Sequence, residues 1–266
     1  MLRLLVNPIR LLSMLSGRPR EFWARASAIA SSRWEASRGN QGSYRATDAR
    51  DAQHALSEVL SPEFHERFLE PALAEISTHV REGQSASSPG PFPAIYNGDS
   101  ALAAFCYAVT RAVHPKQAVE TGVCYGVTSG HILKAMEMNG EGHLDSIDVP
   151  PLGKDADKHV GRFIPAELRS RWTLHRGMST RLLRPLLNQL GSIDLFVHDS
   201  LHTYRNMRDE FAAAWPLLRP GGVLISDDIQ GNSAFQELAD KPDVSACAVV
   251  EEHGKRALFG LAVKHT

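Results

Sequence analysis

The fold is decided by residues 117–126, which read QAVETGVCYG. The first part of this stretch predicts a short apolar strand that ends near Gly122, and Gly126 and Gly130 follow at intervals of four. Glycine lets backbone approach a ligand that a Cβ atom would block, and a helix that begins here offers free N–H groups. A strand, a glycine-rich loop and a helix in this order predict an α/β sheet, in which ligands bind beyond the carboxyl ends of the strands.

The regions on both sides of this stretch continue the alternation of strands and helices. Four more strands of this kind are predicted at residues 143–148, 172–176, 194–199 and 223–226. Two later strands, 244–250 and 257–263, are joined by a turn near residues 253–254 and can pair directly. We therefore expect a doubly wound, Rossmann-like, mostly parallel sheet with helices on both faces and a C-terminal antiparallel hairpin.

The first third of the chain has a different pattern. Leucine and isoleucine recur at helical spacing from residue 2 to residue 15; Asn7-Pro8 predicts where the helix begins and Gly17 where it ends. The stretch is too short, and too interrupted by arginine, to span a bilayer. Two interpretations stay open. The helix docks on the protein's own core or on a second subunit of a homodimer, or it lies on a membrane surface as a basic amphipathic helix.

The predicted organisation has a helical region and linker at residues 1–90 and the main domain at residues 91–266. Residues 37–51 are polar and predict a loop, and a helical stretch follows with apolar positions from Ala55 to Leu73. Residues 82–98, rich in serine, proline and glycine, predict the linker.

Composition excludes several classes of function. Lys and Arg total 29 and Asp and Glu total 30, so net charge gives no drive toward nucleic acid, and no nucleic-acid partner is expected. The three cysteines are far apart and form no C-x-x-C pair, which argues against a disulfide framework and favours a reducing cytoplasm.

Three acidic positions follow predicted strands. Asp148 ends the second strand about 22 residues after Gly126, where a carboxylate can accept hydrogen bonds from ribose hydroxyls. Asp199 ends the fourth strand, and Asp227 and Asp228 end the fifth. Carboxylates that meet at one rim repel each other unless a cation lies among them, and Mg²⁺ prefers oxygen ligands.

The spacing of the glycines separates the cofactor classes. The loop reads G-x-x-x-G-x-x-x-G, which differs from the G-x-G-x-x-G pattern of dinucleotide-binding loops, and the chain has no G-x-x-x-x-G-K-[ST] P-loop. An acid followed by G-x-x-x-G resembles motif I of class I S-adenosylmethionine (SAM)-dependent methyltransferases. The resemblance implies that Glu120 holds the methionine ammonium, and that the cofactor site also includes Gly122, Tyr125, Gly126, Asp148, Met178 and Ser179. Met178 and Ser179 lie where the family has its adenine-contacting loop; Met178 is equally explained as a core residue, and Ser179 can cap the next helix.

The acidic cluster resembles the metal site of catechol-type and antibiotic-sugar O-methyltransferases. That resemblance implies Asp199, Asp227 and Asp228 as ligands of Mg²⁺ or another divalent cation, and Asp199 and His202 as catalytic residues. His202 stands where catechol-type enzymes have a lysine, and a neutral imidazole is suited to remove a proton near pH 7. His198, within the apolar strand, is more simply explained by a hydrogen bond in the core.

The resulting hypothesis is metal-assisted O-methylation of a small hydroxylated acceptor such as a sugar or phenol. Two alternatives remain at this point. One is a metal-dependent hydrolase that uses the same aspartates and histidine, although it would need neither Glu120 nor Asp148. The other is a non-catalytic interaction protein with the same fold. The long segment 154–171 can be either a substrate lid or a surface helix.

Overall fold

The computed structural model describes residues 8–36, 42–86, 92, 100–150, 152, 155–251 and 257–266. Within them the helices are α1 (Pro8–Gly17), α2 (Pro19–Ala36), α3 (Ala49–Ser57), α4 (Pro71–Ala86), α5 (Ser100–Val113), α6 (Val127–Asn139), α7 (Ser179–Leu190), α8 (Tyr204–Ala214) and α9 (Ala234–Ala239). The strands are β1 (Gln117–Thr121), β2 (His143–Asp148), β3 (Trp172–Arg176), β4 (Ile193–His198), β5 (Leu218–Ser226), β6 (Val244–Glu251) and β7 (Leu258–Lys264).

These strands form one seven-stranded sheet in the order β3-β2-β1-β4-β5-β7-β6. The pairs from β3 to β5 are parallel, whereas β7 is antiparallel to both β5 and β6. The predicted doubly wound sheet with an antiparallel hairpin is therefore confirmed. The turn predicted near residues 253–254 lies outside the described residues.

Apolar side chains fill both faces of the sheet. Alternate residues of each central strand point to opposite faces, so Ala118 and Leu195 lie in one cluster while Val119 and Phe196 lie in the other. Helices α5 and α6 cover the first face, and α7 and α8 cover the second. This arrangement leaves the carboxyl ends of the parallel strands as the edge where loops and ligands can meet.

The N-terminal part also contributes to the first cluster. Leu56 of α3 and Ile76 of α4 are packed in the same apolar cluster as Phe105 of α5. The helical stretch expected after residue 55 is divided into α3, a short 3₁₀ helix (Phe64–Leu69) and α4. The linker was predicted at residues 82–98, but its predicted start is wrong because α4 continues to Ala86. Much of the rest of this range lies outside the described residues. The proposed boundary near residue 90 stays a prediction.

The segment between β2 and β3 packs against the protein and is neither a free lid nor one surface helix. It contains two 3₁₀ helices, Ala156–His159 and Ala166–Arg171, and it buries the side chains of Phe163 and Ile164. Its backbone donates hydrogen bonds to the glycine loop, from Gly161 N to the Cys124 carbonyl (3.0 Å) and from Phe163 N to the Tyr125 carbonyl (2.9 Å). The segment therefore supports the loop from outside.

Candidate functional site

Backbone hydrogen bonds continue past the ends of the central strands and bring the site residues together. Gly122 N donates to the Ile147 carbonyl (2.9 Å) and Asp199 N to the Thr121 carbonyl (2.8 Å). Asp227 N donates in turn to the His198 carbonyl (2.9 Å). The sheet thus delivers the glycine loop and the rim aspartates to one edge, as the sequence predicted.

The glycine loop depends on its two glycines. Gly122 has a φ of 88°, in the left-handed region, and a Cβ atom there would lie 1.9 Å from the carbonyl oxygen of Asp199. Gly126, with a φ of 85°, precedes α6, and its Cβ would lie 2.8 Å from Gly161 Cα. The first glycine therefore allows the loop to pass close to the end of β4, and the second allows it to turn into the helix beside the supporting segment.

Asp148 holds the loop in place. Its Oδ2 accepts hydrogen bonds from the backbone N–H groups of Val123 (2.9 Å) and Cys124 (2.8 Å). Burial raises the pKa of Asp148, and the N–H donors act in the opposite direction. The acid predicted to bind ribose is therefore also the residue that connects β2 to the glycine loop.

Glu120 is fully buried beneath the loop. Its Oε2 accepts hydrogen bonds from Ser129 Oγ (2.6 Å) and Ser146 Oγ (2.7 Å), whereas its buried Oε1 has no partner. Burial raises the pKa of Glu120 to about 7, against the effect of the two serine hydroxyls. An unpaired buried carboxylate oxygen is costly unless a donor or a cation reaches it, so Oε1 is a candidate acceptor for a ligand.

The side chain of Tyr125 is engaged away from its predicted ligand. It is buried against Phe92 and Phe163, and its hydroxyl lies 3.2 Å from both the backbone N and O of Phe92. The prediction of Tyr125 as a cofactor residue stays a prediction, and in this structure its ring belongs to the aromatic cluster.

The predicted adenine loop begins α7. Met178 occupies the N-cap position without a side-chain cap bond, and Ser179 is the first helical residue, so the expectation that Ser179 caps the helix was wrong. Met178 lines a cavity of about 520 Å³ together with residues of α2. Met178 is half-buried and belongs to none of the apolar core clusters of the described residues, so the core explanation is not supported.

Three site residues meet at the rim formed by β4 and β5. Ligand atoms of Asp199, His202 and Asp227 all lie within 4.8 Å of one another. Burial and the nearby charge of Asp227 raise the pKa of Asp199 well above its usual range, and burial also raises the pKa of Asp227. Asp227 Oδ1 and His202 Nε2 are buried without hydrogen-bond partners. Two carboxylates this close favour a shared proton or a bound cation.

Asp228 lies beside this group, and its place in the predicted set of three aspartate ligands stays a prediction. Its φ of 46° lies in the left-handed region, and its Oδ2 is 3.4 Å from His202 Nδ1. Asp228 therefore lies on the Nδ1 side of the His202 ring. Burial lowers the pKa of His202, and the charge of His198 adds to this effect, whereas the rim aspartates oppose it.

The comparison with known families agrees with this geometry. Residues 119–229 match the model of a family described as a methyltransferase domain, a range that runs from β1 to just beyond β5. The range includes every residue predicted for the site. The chain contains a methyltransferase domain. No curated protein sequence matches it significantly.

Solved structures with this fold resemble the methyltransferase at low sequence identity. One is an O-methyltransferase of Streptomyces achromogenes involved in tomaymycin synthesis, in complex with SAM: TM-score 0.55, 18% identity, covering 74% of this chain and 91% of that one. Another is an O-methyltransferase of Bacillus cereus in complex with SAH: TM-score 0.52, 18% identity, covering 80% and 97%. A SAH-bound methyltransferase of Podospora anserina has a TM-score of 0.51 and 13% identity, and the match covers 73% of this chain and 88% of that one.

The sequence interpretation missed Glu210, which organises the far side of the methyltransferase's site. This buried carboxylate on α8 accepts hydrogen bonds from Thr121 Oγ1 (2.6 Å) and Ser200 Oγ (2.9 Å), and it pairs with His198 Nδ1 (2.7 Å). Burial would raise the pKa of Glu210, but the charge of His198 and the hydrogen bonds from His198, Ser179 and Thr121 together lower it to about 2. The expected hydrogen bond of His198 in the core is thereby confirmed. A charged residue directly before Phe211 on the apolar stripe of α8 was the available signal.

Helix α2 crosses the carboxyl edge of the sheet. In its first half, Arg25 Nη2 donates a hydrogen bond to the Pro150 carbonyl (2.6 Å), two residues after Asp148 at the end of β2. Near its end, Glu35 accepts from the backbone N–H of Tyr204 (2.6 Å) and of Arg205 (3.2 Å), at the start of α8. The helix therefore covers the edge at which the predicted cofactor and metal residues lie.

Proposed function

We propose that this methyltransferase transfers the methyl group of SAM to a hydroxyl oxygen of a small acceptor, and that Mg²⁺ or another divalent cation assists. The observation that carries the proposal is the position of Asp199, His202 and Asp227. Their ligand atoms lie within 4.8 Å of one another, at the strand ends next to the glycine loop.

The rim residues fit a divalent cation. The pKa values of Asp199 and Asp227 are raised, because burial opposes ionisation of both and because the charge of Asp227 also opposes ionisation of Asp199. A hard cation would allow both carboxylates to ionise and would also satisfy the unpaired Asp227 Oδ1. Either His202 Nε2 or Asp228 would complete the set. If His202 is the ligand through Nε2, its Nδ1–H would donate a hydrogen bond to Asp228 Oδ2, which would fix the orientation of the ring.

The loop residues fit SAM. Glu120 Oε1 is an unpaired buried acceptor for the ammonium group, and Gly122 and Gly126 keep side chains away from the loop. Asp148 is held at the end of β2, where a ribose would contact it. The loop of Met178 and Ser179 would lie at the adenine end.

The chemistry assigned to the chain is mainly positioning and proton removal. SAM supplies a sulfonium-bound methyl group, and a divalent cation lowers the pKa of a hydroxyl that it binds. His202 has a lowered pKa, so at neutral pH its imidazole is uncharged. Its unpaired Nε2 can accept the hydroxyl proton as the oxygen forms its bond to the methyl carbon, unless Nε2 is itself a cation ligand. Sulfur then leaves as a neutral thioether.

The solved O-methyltransferases with this fold support the choice of oxygen as the methylated atom. A metal-dependent hydrolase is disfavoured because it would not require the buried acceptor of Glu120 or the loop contacts of Asp148. We also place the enzyme in the cytoplasm, in keeping with its free cysteines.

Paired alanine variants test the proposal. Asp148→Ala should weaken SAM binding, whereas Asp227→Ala should leave SAM binding intact and abolish methyl transfer to every member of an acceptor pool. Calorimetric titration with SAM and then with Mg²⁺ measures the two binding affinities, and an assay of methyl transfer to the acceptor pool measures turnover. The site assignment is wrong if neither substitution changes SAM affinity or turnover.

A second pair identifies the third ligand. If His202 binds the cation, His202→Ala should weaken Mg²⁺ binding far more than Asp228→Ala does. If Asp228 is the ligand, the order is reversed and His202 is free to act as the base. If His202→Ala, Asp228→Ala and Asp227→Ala all bind Mg²⁺ as tightly as the unmodified enzyme does, the proposed metal site is wrong.

A further inference from the structure

The outward surface of the two N-terminal helices combines exposed apolar side chains with arginines. Large apolar side chains there are strongly exposed: Leu12 (58%), Leu15 (43%), Trp23 (65%) and Trp34 (57%). Single exposed apolar residues are ordinary on a protein surface, but several on one pair of adjacent helices indicate an interaction surface.

These side chains share a direction on each helix. Leu12 and Leu15 are three residues apart on α1, whereas Met14 between them is buried. On α2 the exposed positions include residues 20, 23, 27, 30 and 34, which recur every three or four residues and so form one stripe. The two tryptophans of this stripe, at residues 23 and 34, are about 16 Å apart at the rise of an α-helix.

The charges of α2 are divided between its two faces. Its carboxylates point to the protein: Glu21 bonds to Arg25 and Arg176, and Glu35 bonds to the start of α8. Arg20 and Arg33 are exposed beside the two tryptophans. The outward stripe therefore carries positive charge only.

A cavity beside this stripe adds further positive charge. It has a volume of about 520 Å³ and is lined by the arginines at 18, 20, 176 and 181, with Met178 and Leu182 among the apolar residues. The one carboxylate in its lining, Glu21, pairs with Arg25 and Arg176, and Arg176 also pairs with Asp157. A phosphate group near this cavity would meet mainly Arg20 and Arg181.

We propose that the outward surface of α1 and α2 docks the enzyme on a bilayer that contains anionic phospholipids. Tryptophan favours the boundary between water and lipid, and arginine extends along apolar surface to reach phosphate. The attachment is peripheral, because among the described helices none is long and apolar enough to cross a membrane. The inner face of α2 covers the carboxyl edge of the sheet, so docking turns the site toward the lipid. The docking does not depend on the acceptor or the metal.

Vesicle co-sedimentation tests this surface without any methyl transfer. The full chain is mixed with vesicles of phosphatidylcholine alone or of phosphatidylcholine with phosphatidylglycerol. We expect binding only to the anionic vesicles, and release as salt is raised. The double variant Arg18→Gln, Arg20→Gln should bind about 30-fold more weakly, since each arginine near the lipid contributes a factor of roughly five.

The tryptophans provide a second readout. The chain has four tryptophans, of which Trp215 is buried, so an emission shift toward shorter wavelength on vesicle addition reports mainly on the exposed pair. Trp23→Gln with Trp34→Gln should remove that shift and reduce binding. SAM titration of each variant shows whether its fold is intact.

A matched control uses another exposed part of the molecule. Leu69 is 80% exposed and Arg81 is exposed on α4, and both lie outside the docking surface. Leu69→Gln with Arg81→Gln should bind the anionic vesicles like the unmodified enzyme. Docking is refuted if the two vesicle types recover the same amount of protein, or if the control loses as much binding as the arginine variant. It is also refuted if ultracentrifugation shows a dimer that depends on the two tryptophans and this dimer does not bind vesicles.

Discussion

The buried carboxylate of Glu120 leads to a specific dependence of cofactor binding on pH. Its pKa in the cofactor-free protein is raised to about 7, and its unpaired Oε1 is the proposed acceptor for the SAM ammonium. A cation binds the ionised form, so acid weakens binding in proportion to the protonated fraction. With a pKa of about 7, half of the carboxyl is ionised at pH 7 and about 3% at pH 5.5, which predicts a roughly 16-fold loss of affinity.

Calorimetric titration with S-adenosylhomocysteine from pH 5.5 to pH 7 measures this loss. The ligand's α-amino group stays mostly protonated over that range, so the change reports on the protein. 5′-Methylthioadenosine retains the ribose proposed for Asp148 but lacks the ammonium, and its affinity should stay nearly constant. Glu120→Gln should bind S-adenosylhomocysteine weakly at pH 7 and without the acid-dependent loss. An unchanged pH profile in Glu120→Gln would refute the assignment of the ammonium to Glu120.

The same carboxyl affects the stability of the fold. Because its folded pKa is raised from 4.5 to about 7, its contribution to stability is present below pH 4.5 and is lost as pH rises through 7. The loss amounts to roughly 3 kcal/mol, at about 1.4 kcal/mol for each pKa unit. Glu120→Gln should therefore resist urea better than the unmodified enzyme at pH 8 and lose that advantage by pH 5.

Three further changes test the framework around the site. Gly122→Ala places a methyl group against the Asp199 carbonyl, and we expect it to lower the melting temperature and abolish SAM binding, as measured by thermal unfolding with and without SAM. Burial would raise the pKa of Glu70, but hydrogen bonds, mainly from an arginine of α5, lower it to about 2; its stabilising effect is present above pH 4.5 and lost as pH falls through 2. Glu70→Gln should thus cost about 1–2 kcal/mol at pH 7 after solvent screening, less at pH 4, by urea unfolding. Arg25→Ala removes the contact to the Pro150 carbonyl and should speed limited proteolysis within α2 without changing the global unfolding midpoint.

The sheet, and the residues that follow each of its strands, could be predicted from the sequence. Apolar runs such as Leu195 to Val197 identify buried parallel strands, and parallel pairing then places residues that follow neighbouring strands at one edge. Asp148, Asp199 and Asp227 lie beside the glycine loop as predicted, because the positions of the strand ends follow from apolar patterning.

The direction of individual side chains was not available from that pattern. Asp228 adopts a left-handed φ, and its Oδ2 lies 3.4 Å from Nδ1 of His202. Tyr125 joins an aromatic cluster with Phe92 that is distant in sequence. The path of α2 over the sheet edge depends on contacts such as that of Glu35 with α8, which local propensity cannot reveal.

The position of β7 inside the hairpin has a consequence for fragments of this enzyme. β7 pairs with β5 through residues 223–226 and with β6 on its other side. A fragment that ended after α9 would leave the backbone donors and acceptors of Val223 to Ile225 unpaired along an apolar strand. Such an open edge recruits strands from other molecules, so truncation there should cause aggregation and not merely a milder loss of stability.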